Sequence, residues 1–317
     1  MMTPRTSEAR SRVAVGTPPL TTTCLVNHFN YGRFVGEAIE SALAQTVPFD
    51  EIVVVDDGSS PEDVEALRAA CDGQDRVRLI LKENGGQLSC FNEGFVASSG
   101  DVVFFLDADD LFETDYVENA LRIYASRPDV GFVFCNPRIF GPSGVQPAEI
   151  EPDHDFGDTV LLARYRRKWI GAPTSCLSMR REVLRHVLPV PDVKDWKTRA
   201  DDCLVLGASL AGARKYRIGR PLVRYRVHGD NLFSGRSPEP WRLRKREQAI
   251  DRLIPLVLER SGHRGASLAD VPREFRSLGK RTLRDYRRYL QIVRRAPGSL
   301  YERVAAVTSV TWAYLFG

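Results

Sequence analysis

The stretch Val102-Val103-Phe104-Phe105-Leu106-Asp107-Ala108-Asp109-Asp110 decides how the rest of the chain is read. Five apolar residues in a row, mostly β-branched or aromatic, predict a strand buried on both faces, as in a parallel sheet. Three carboxylates then arrive within four positions, at the C-terminal end of that strand. Open α/β sheets bind their ligands in the crevice beyond such ends. Like charges crowded on a sheet rim repel one another unless a cation sits among them. The plainer reading makes Asp110 the N-cap of a following helix, with Glu113 three residues on. Capping, however, needs one carboxylate and not three.

Upstream, strand and helix patterns alternate. Leu20 to Val26 predicts a strand, followed by the polar loop Asn27-His28-Phe29-Asn30-Tyr31-Gly32 and a helix from Arg33 to Gln45. Ile52 to Val55 predicts a second strand, ending in Asp56-Asp57-Gly58-Ser59-Ser60, with Pro61 opening the next helix. Val77 to Leu81 leads into Asn84-Gly85-Gly86-Gln87 and a helix from Leu88 to Ser98. Four alternations in about 90 residues predict a parallel, doubly wound sheet. Downstream, Gly131 to Cys135 reads as a short strand and Pro137 to Pro152 as a surface loop. Trp169 to Met179 and Arg217 to Val227 read as strands around a helix starting near Asp201, and the pattern is helical from Pro240 onward.

The chain has 317 residues, 43% hydrophobic and 27% charged, ordinary for a globular protein. Its net charge of +4 hides an asymmetry. Residues 240–317 hold 17 Lys+Arg against 7 Asp+Glu, a net of +10, and the remainder is net −6. The six cysteines show no CxxC spacing and sit mostly in apolar segments, which argues against a zinc site or a disulfide framework. Residues 1–18 predict a disordered tail without the apolar core of a signal peptide, and no apolar run is long enough to span a bilayer. The expected location is cytoplasmic, with peripheral attachment to the inner face of the plasma membrane left open.

Three strand ends thus carry acidic or amide side chains: Asp56-Asp57, Asn84 with Gln87, and Asp107-Asp109. In a right-handed parallel sheet they share one rim. Oxygen donors of this kind suit Mg2+ or Mn2+ bridging substrate phosphates. Neither a Walker A sequence nor a GxGxxG fingerprint occurs, which argues against P-loop hydrolysis and dinucleotide-dependent hydride transfer.

Five ordered blocks carry a resemblance: TCLVNHFNYGRFVGEAIESALAQT, EIVVVDDGSS, NGGQLSCFNEGFVASSGDVVFFLDADD, ADDCLV and YRVHGDN. Together they resemble the family 2 glycosyltransferases of the GT-A fold, over roughly residues 20–230. The resemblance implies an α/β fold, a Rossmann-like, mainly parallel sheet flanked by helices, in a domain at 19–236. A basic helical C-terminal region would follow at 237–317. It implies inverting transfer of a sugar from a nucleotide-diphosphate sugar, with a UDP-sugar favoured, to a glycan or lipid-linked acceptor. Asp56 and Asp57 match an acidic pair that contacts the donor's base and ribose; Asn27, Phe29 and Asn30 belong to the loop over that base, where the family usually has proline in place of Asn27. Gly86 and Gln87 match a segment near the nucleotide. Asp107 and Asp109 match the DxD motif that holds donor sugar and metal, and His228 a histidine near the diphosphate or metal. Asp201-Asp202 stands where the family has an acidic pair whose second carboxylate serves as general base, making Asp202 the first choice and Asp201 the reserve. The same pair also suits a helix N-terminus, which favours negative charge. A sugar nucleotidyltransferase of related fold would show a glycine-rich N-terminal loop with a basic residue, unlike Val26-Asn27-His28-Phe29. A non-catalytic scaffold would have little reason to keep both acidic pairs.

Trp169, Trp196 and Tyr165 are either core residues or an aromatic platform for a sugar acceptor. Between Phe275 and Val293, apolar residues at helical spacing alternate with arginines, as in a basic amphipathic helix. Such a helix packs on the domain with a solvated cationic face, docks on a membrane, or serves a homodimer. Nucleic acid is not an expected partner, for want of any recognisable motif. Val304 to Phe316 is apolar but too short to span a bilayer.

Overall fold

A computed structural model of the chain describes residues 19–142, 144–191, 193–196, 199–229, 240–262 and 267–316. The expected tail at 1–18 and the expected boundary at 236/237 lie outside these residues. The first half is three strand–helix units and a fourth strand: β1 (Thr22–His28), α1 (Gly32–Leu43), β2 (Glu51–Asp56), α2 (Pro61–Cys71), β3 (Val77–Leu81), α3 (Gln87–Ala97) and β4 (Val102–Asp107). These strands lie in the order β3-β2-β1-β4, all parallel, as the alternation predicts. Apolar side chains of β1, β2 and β4 are buried on both faces because helices cover both sides of the sheet. Close helix packing depends on Gly94 of α3, where a Cβ would stand 2.6 Å from Leu25.

The second half extends the same sheet with mixed polarity. It comprises β5 (Leu111–Phe112), α4 (Tyr116–Ser126), β6 (Val130–Gly141), β7 (Gly144–Val145), β8 (His154–Gly157), α5 (Val160–Arg166), β9 (Leu177–Arg180), α6 (Arg181–Val187), α7 (Asp201–Leu210) and β10 (Arg214–Arg226). Strand order continues β4-β9-β6-β10-β5, with β9 antiparallel to both neighbours and β6 parallel to β10. Three sequence-based expectations change here. First, β6 continues through Pro137 into the expected surface loop. The proline is accommodated where β10 bulges between Ile218 and Val223, so its missing N–H interrupts an already irregular ladder. Second, the strand expected over Trp169–Met179 shrinks to Leu177–Arg180, preceded by a 3-10 turn at Thr174–Cys176, because Gly171 and Pro173 break the extended run. Third, Asp110 caps no helix. The chain passes from it into β5, and α4 begins only at Tyr116.

The remaining helices are α8 (Pro240–Arg260), α9 (Val271–Ser277), α10 (Leu283–Arg295) and α11 (Leu300–Phe316). The single basic helix expected over Phe275–Val293 is two helices. Gly279 lies in the break, and Thr282 and Asp285 form a capping box that starts α10. Apolar side chains of α8 to α11, including Leu253, Phe275, Tyr289 and Val310, belong to one continuous core with the sheet.

Glu274 fastens this helical layer to the sheet domain. Its carboxylate is buried and accepts hydrogen bonds from the Leu161 and Leu162 N–H groups in the first turn of α5, at 2.7 and 3.2 Å. The Tyr289 hydroxyl donates a third, at 2.9 Å. Glu274→Ala strands three buried donors, so it is expected to cost about 3 kcal/mol of stability. A urea titration checks this: a midpoint unchanged from the parent excludes the fastening role.

Candidate active site

The strand register builds one rim. At the end of β1, Asn27 pairs with Asp107 on one side and His28 with Asp56 on the other. Asp56 and Asp57 are both buried, and their oxygens are satisfied within the protein. Asp56 lies 2.8 Å from Nδ1 of His28 and accepts from the Ser59 hydroxyl and the Gly58 and Ser59 N–H groups. Burial works to raise its pKa, but the Ser59 and His28 bonds outweigh it and hold the carboxylate below its usual range. The His28 Nε2 accepts the Tyr31 N–H at 3.2 Å, so Nδ1 is the nitrogen that donates to Asp56. Asp57 accepts from the Gly85 and Gly86 N–H groups at 2.8 and 2.7 Å and from Lys82. It thereby fixes the loop that opens α3, where Gly86 adopts φ +86°, a conformation suited to glycine. Asn30 bonds Ser59 and Ser60 across to the neighbouring loop. Phe29 beside it is 45% exposed, which leaves its ring available to a partner.

On the other side of β1 stands an acidic cluster. Carboxylate oxygens of Asp107, Asp109 and Asp110 all lie within 4.8 Å of one another. Burial, with the charges of Asp109 and Asp201, pushes the Asp107 pKa up to about 7, against the bonds from Asn27 and Gln87. Gln87 Nε2 donates to Asp107 at 2.8 Å. Asp110 differs from its neighbours: the Ser175 hydroxyl and the Arg226 N–H donate to it at 2.6 and 2.9 Å. Asp109 faces His228, whose Nε2 lies 3.0 Å from its Oδ2 and whose ring is packed between Tyr31 and Phe34. The Asn27 Oδ1 is buried without a hydrogen-bond partner among the described residues. Concentrated negative charge, an orphaned amide oxygen and a histidine form a donor set that suits a hard divalent cation.

The third acidic station is the first turn of α7. This helix is anchored by the buried Lys215, whose Nζ donates to the Ile170 and Val205 carbonyls at 2.8 and 2.7 Å. Asp202 is fully buried and bound by Arg246 of α8, through Nε at 2.6 Å and Nη2 at 2.8 Å. Arg199 adds a bond at 3.1 Å. Asp201 is partly exposed instead, and burial together with the Asp202 charge pushes its pKa up to about 6, against Arg199 and Arg246. Its charge contributes to the raised pKa of Asp107.

The donor, metal and base candidates named from the sequence therefore lie on or beside this rim or in the first turn of α7, whereas the aromatic candidates Tyr165, Trp169 and Trp196 belong to or pack against the core. Several participants carried no sequence signal: Lys82, Ser175 and Arg226 act only through tertiary contacts. Arg246 was legible as one arginine among many in a basic helix, and nothing local distinguishes it. Trp196 is buried in the core and presents no face to an acceptor.

The sheet rim carries acidic side chains at the ends of β2 and β4, a third acidic pair opens α7, and comparison with known proteins fixes the family. A profile described as glycosyl transferase family 2 matches residues 23–188. The chain belongs to glycosyl transferase family 2. An uncharacterized glycosyltransferase of Nostoc sp. (strain PCC 7120) is 32% identical over 214 residues, which cover 65% of either chain. The poly-beta-1,6-N-acetyl-D-glucosamine synthase of Staphylococcus aureus (strain COL) is 28% identical over 123 residues, 39% of this chain and 30% of that one. The chain thus spans less than two thirds of the length of these relatives. Residues 1–349 of S. aureus TarS, solved in complex with UDP-GlcNAc, superpose with a TM-score of 0.55 at 15% identity. That match covers 93% of this chain and 90% of the other, and it shows the GT-A fold with its C-terminal helices.

Proposed function

We propose that the protein is an inverting glycosyltransferase that moves a sugar from a nucleotide-diphosphate sugar, favoured as a UDP-sugar, to an acceptor hydroxyl on a growing polysaccharide or other glycoconjugate. The observation that carries this reading is the Asp107–Asp109–Asp110 cluster at the end of β4, with His228 against it, on the same sheet rim as Asp56 and Asp57. The exposed Phe29 ring supplies a stacking face for the base. Asp56 and Asp57 act through the loops they hold, since their own oxygens are already bonded, and so shape the pocket around Asn30, Gly86 and Gln87. Asp107, Asp109 and His228 would hold Mn2+ or Mg2+, with Gln87 and Asn27 orienting Asp107. When bound, the cation supplies Lewis-acid neutralisation of the charge left on the departing diphosphate.

As the acceptor oxygen bonds to the anomeric carbon, the bond to the diphosphate breaks and its electron pair leaves with the nucleotide. The acceptor proton passes to a carboxylate. The geometry favours Asp201 over Asp202 for that duty. Asp202 is buried and bound by two guanidinium groups, whereas Asp201 is partly exposed, with a pKa raised to about 6. Asp202 and Arg246 then position the α7 turn.

Titrating UDP calorimetrically, with and without Mn2+, tests the reading. Expected is binding that strengthens at least tenfold with the metal. Absence of UDP binding under both conditions overturns it.

A further inference from the structure

We propose that α11 is a membrane-docking element that lays its outward face on an anionic lipid bilayer. Helices of soluble proteins normally turn their apolar side inward, and α11 does so with Ala306, Val310 and Ala313. Its opposite side is also apolar. Leu300, Tyr301, Val304, Trp312, Leu315 and Phe316 are 57–83% exposed. On a helix of 3.6 residues per turn they fall on one continuous arc, about 25 Å long, and the only two charged residues of α11, Glu302 and Arg303, lie outside it. An uncharged exposed strip carrying Trp, Tyr and Phe matches the boundary between lipid headgroups and acyl chains, where rings with one wet end settle.

The neighbouring helix supplies the charge. The α10–α11 hairpin is closed by stacking of Tyr286 on Tyr314 and by the Tyr286–Thr311 hydroxyl contact at 2.9 Å. Arg294 and Arg303 line a recess with Val304 and Val307 beside the apolar strip; Arg303 donates to the Val293 and Ala296 carbonyls, and Arg294 is exposed. Arg287 is exposed two turns before Arg294, on the same side of α10. An anionic headgroup layer satisfies these exposed guanidinium groups, whereas a second copy would set two regions of net charge +10 against each other. No helix among the described residues is long and apolar enough to cross a membrane, so contact would be with the surface alone.

The test is co-sedimentation of the full chain with phosphatidylcholine vesicles, with and without about 30% phosphatidylglycerol, at low and high salt. Expected is binding to the anionic vesicles at least tenfold tighter than to the neutral ones, weakening as salt rises. A Trp312→Ser/Leu315→Ser/Phe316→Ser variant and an Arg287→Glu/Arg294→Glu variant should each lose at least tenfold. Both change exposed side chains, so their thermal unfolding should match the parent. No binding at low salt overturns the proposal, as does unchanged binding by the triple variant. So does a parent dimer in light scattering that the triple variant dissolves, since a second copy would then cover the strip.

Discussion

Asp201→Asn is expected to lower kcat roughly a thousandfold, the scale of a lost general base, while UDP affinity stays within about threefold. An amide of the same shape cannot take the acceptor proton, but it leaves the rim of β1, β2 and β4 untouched. The pH dependence gives a sharper signature. With a folded pKa near 6, Asp201 is protonated and idle below that value. The parent's kcat/KM should therefore fall tenfold per pH unit on the acid side of about 6, and the residual rate of Asp201→Asn should lack that limb. Asp202→Asn should behave differently. Removing a negative neighbour, with Arg199 and Arg246 remaining, lowers the Asp201 pKa and moves the acid limb toward lower pH. Full turnover in Asp201→Asn, or an acid limb that survives it, would return the role to Asp202.

Asp109→Asn is expected to abolish tight Mn2+ binding, followed by the paramagnetic resonance of free Mn2+, and to cut turnover by at least a hundredfold. Asp109 sits between Asp107 and His228, so its loss breaks the donor set in the middle. The raised pKa of Asp107 adds a linked effect. Near and below pH 7 a proton competes for its carboxylate, so Mn2+ affinity of the parent should rise with pH up to about 7 and then level off. Chelation should remove activity, and added Mn2+ restore it. Retention of parental Mn2+ affinity by Asp109→Asn would place the cation elsewhere.

The parallel half of the sheet was legible because buried parallel strands write uninterrupted apolar runs, and β2 and β4 appear where those runs lie. The acidic stations were legible for the same reason, since carboxylates at the ends of apolar runs stand out. The antiparallel additions were not. The β6 strand runs through a proline that local rules assign to a loop, and β9 is short and set by its partners. That Asp202 is the buried carboxylate of the pair goes with Arg246, 44 residues away in sequence, and no local pattern encodes that pairing. The burial of Trp196 is likewise a tertiary fact. Its composition suits an acceptor platform as well as a core.

The Asp202–Arg246 pair carries a consequence for how this chain tolerates recombination. The family profile ends at residue 188, before α7, and Arg246 lies further on in α8. A chimera that joined the sheet of this chain to the C-terminal helices of a relative lacking arginine at that position would inherit a buried carboxylate without its bidentate partner. With Arg199 alone left to bond it, the buried carboxylate would cost up to several kcal/mol and loosen the helix turn that bears Asp201. Asp202 and Arg246 therefore have to be inherited together: a cut at residue 188, where the family profile ends, keeps them on one side, whereas a junction between α7 and α8 would separate them.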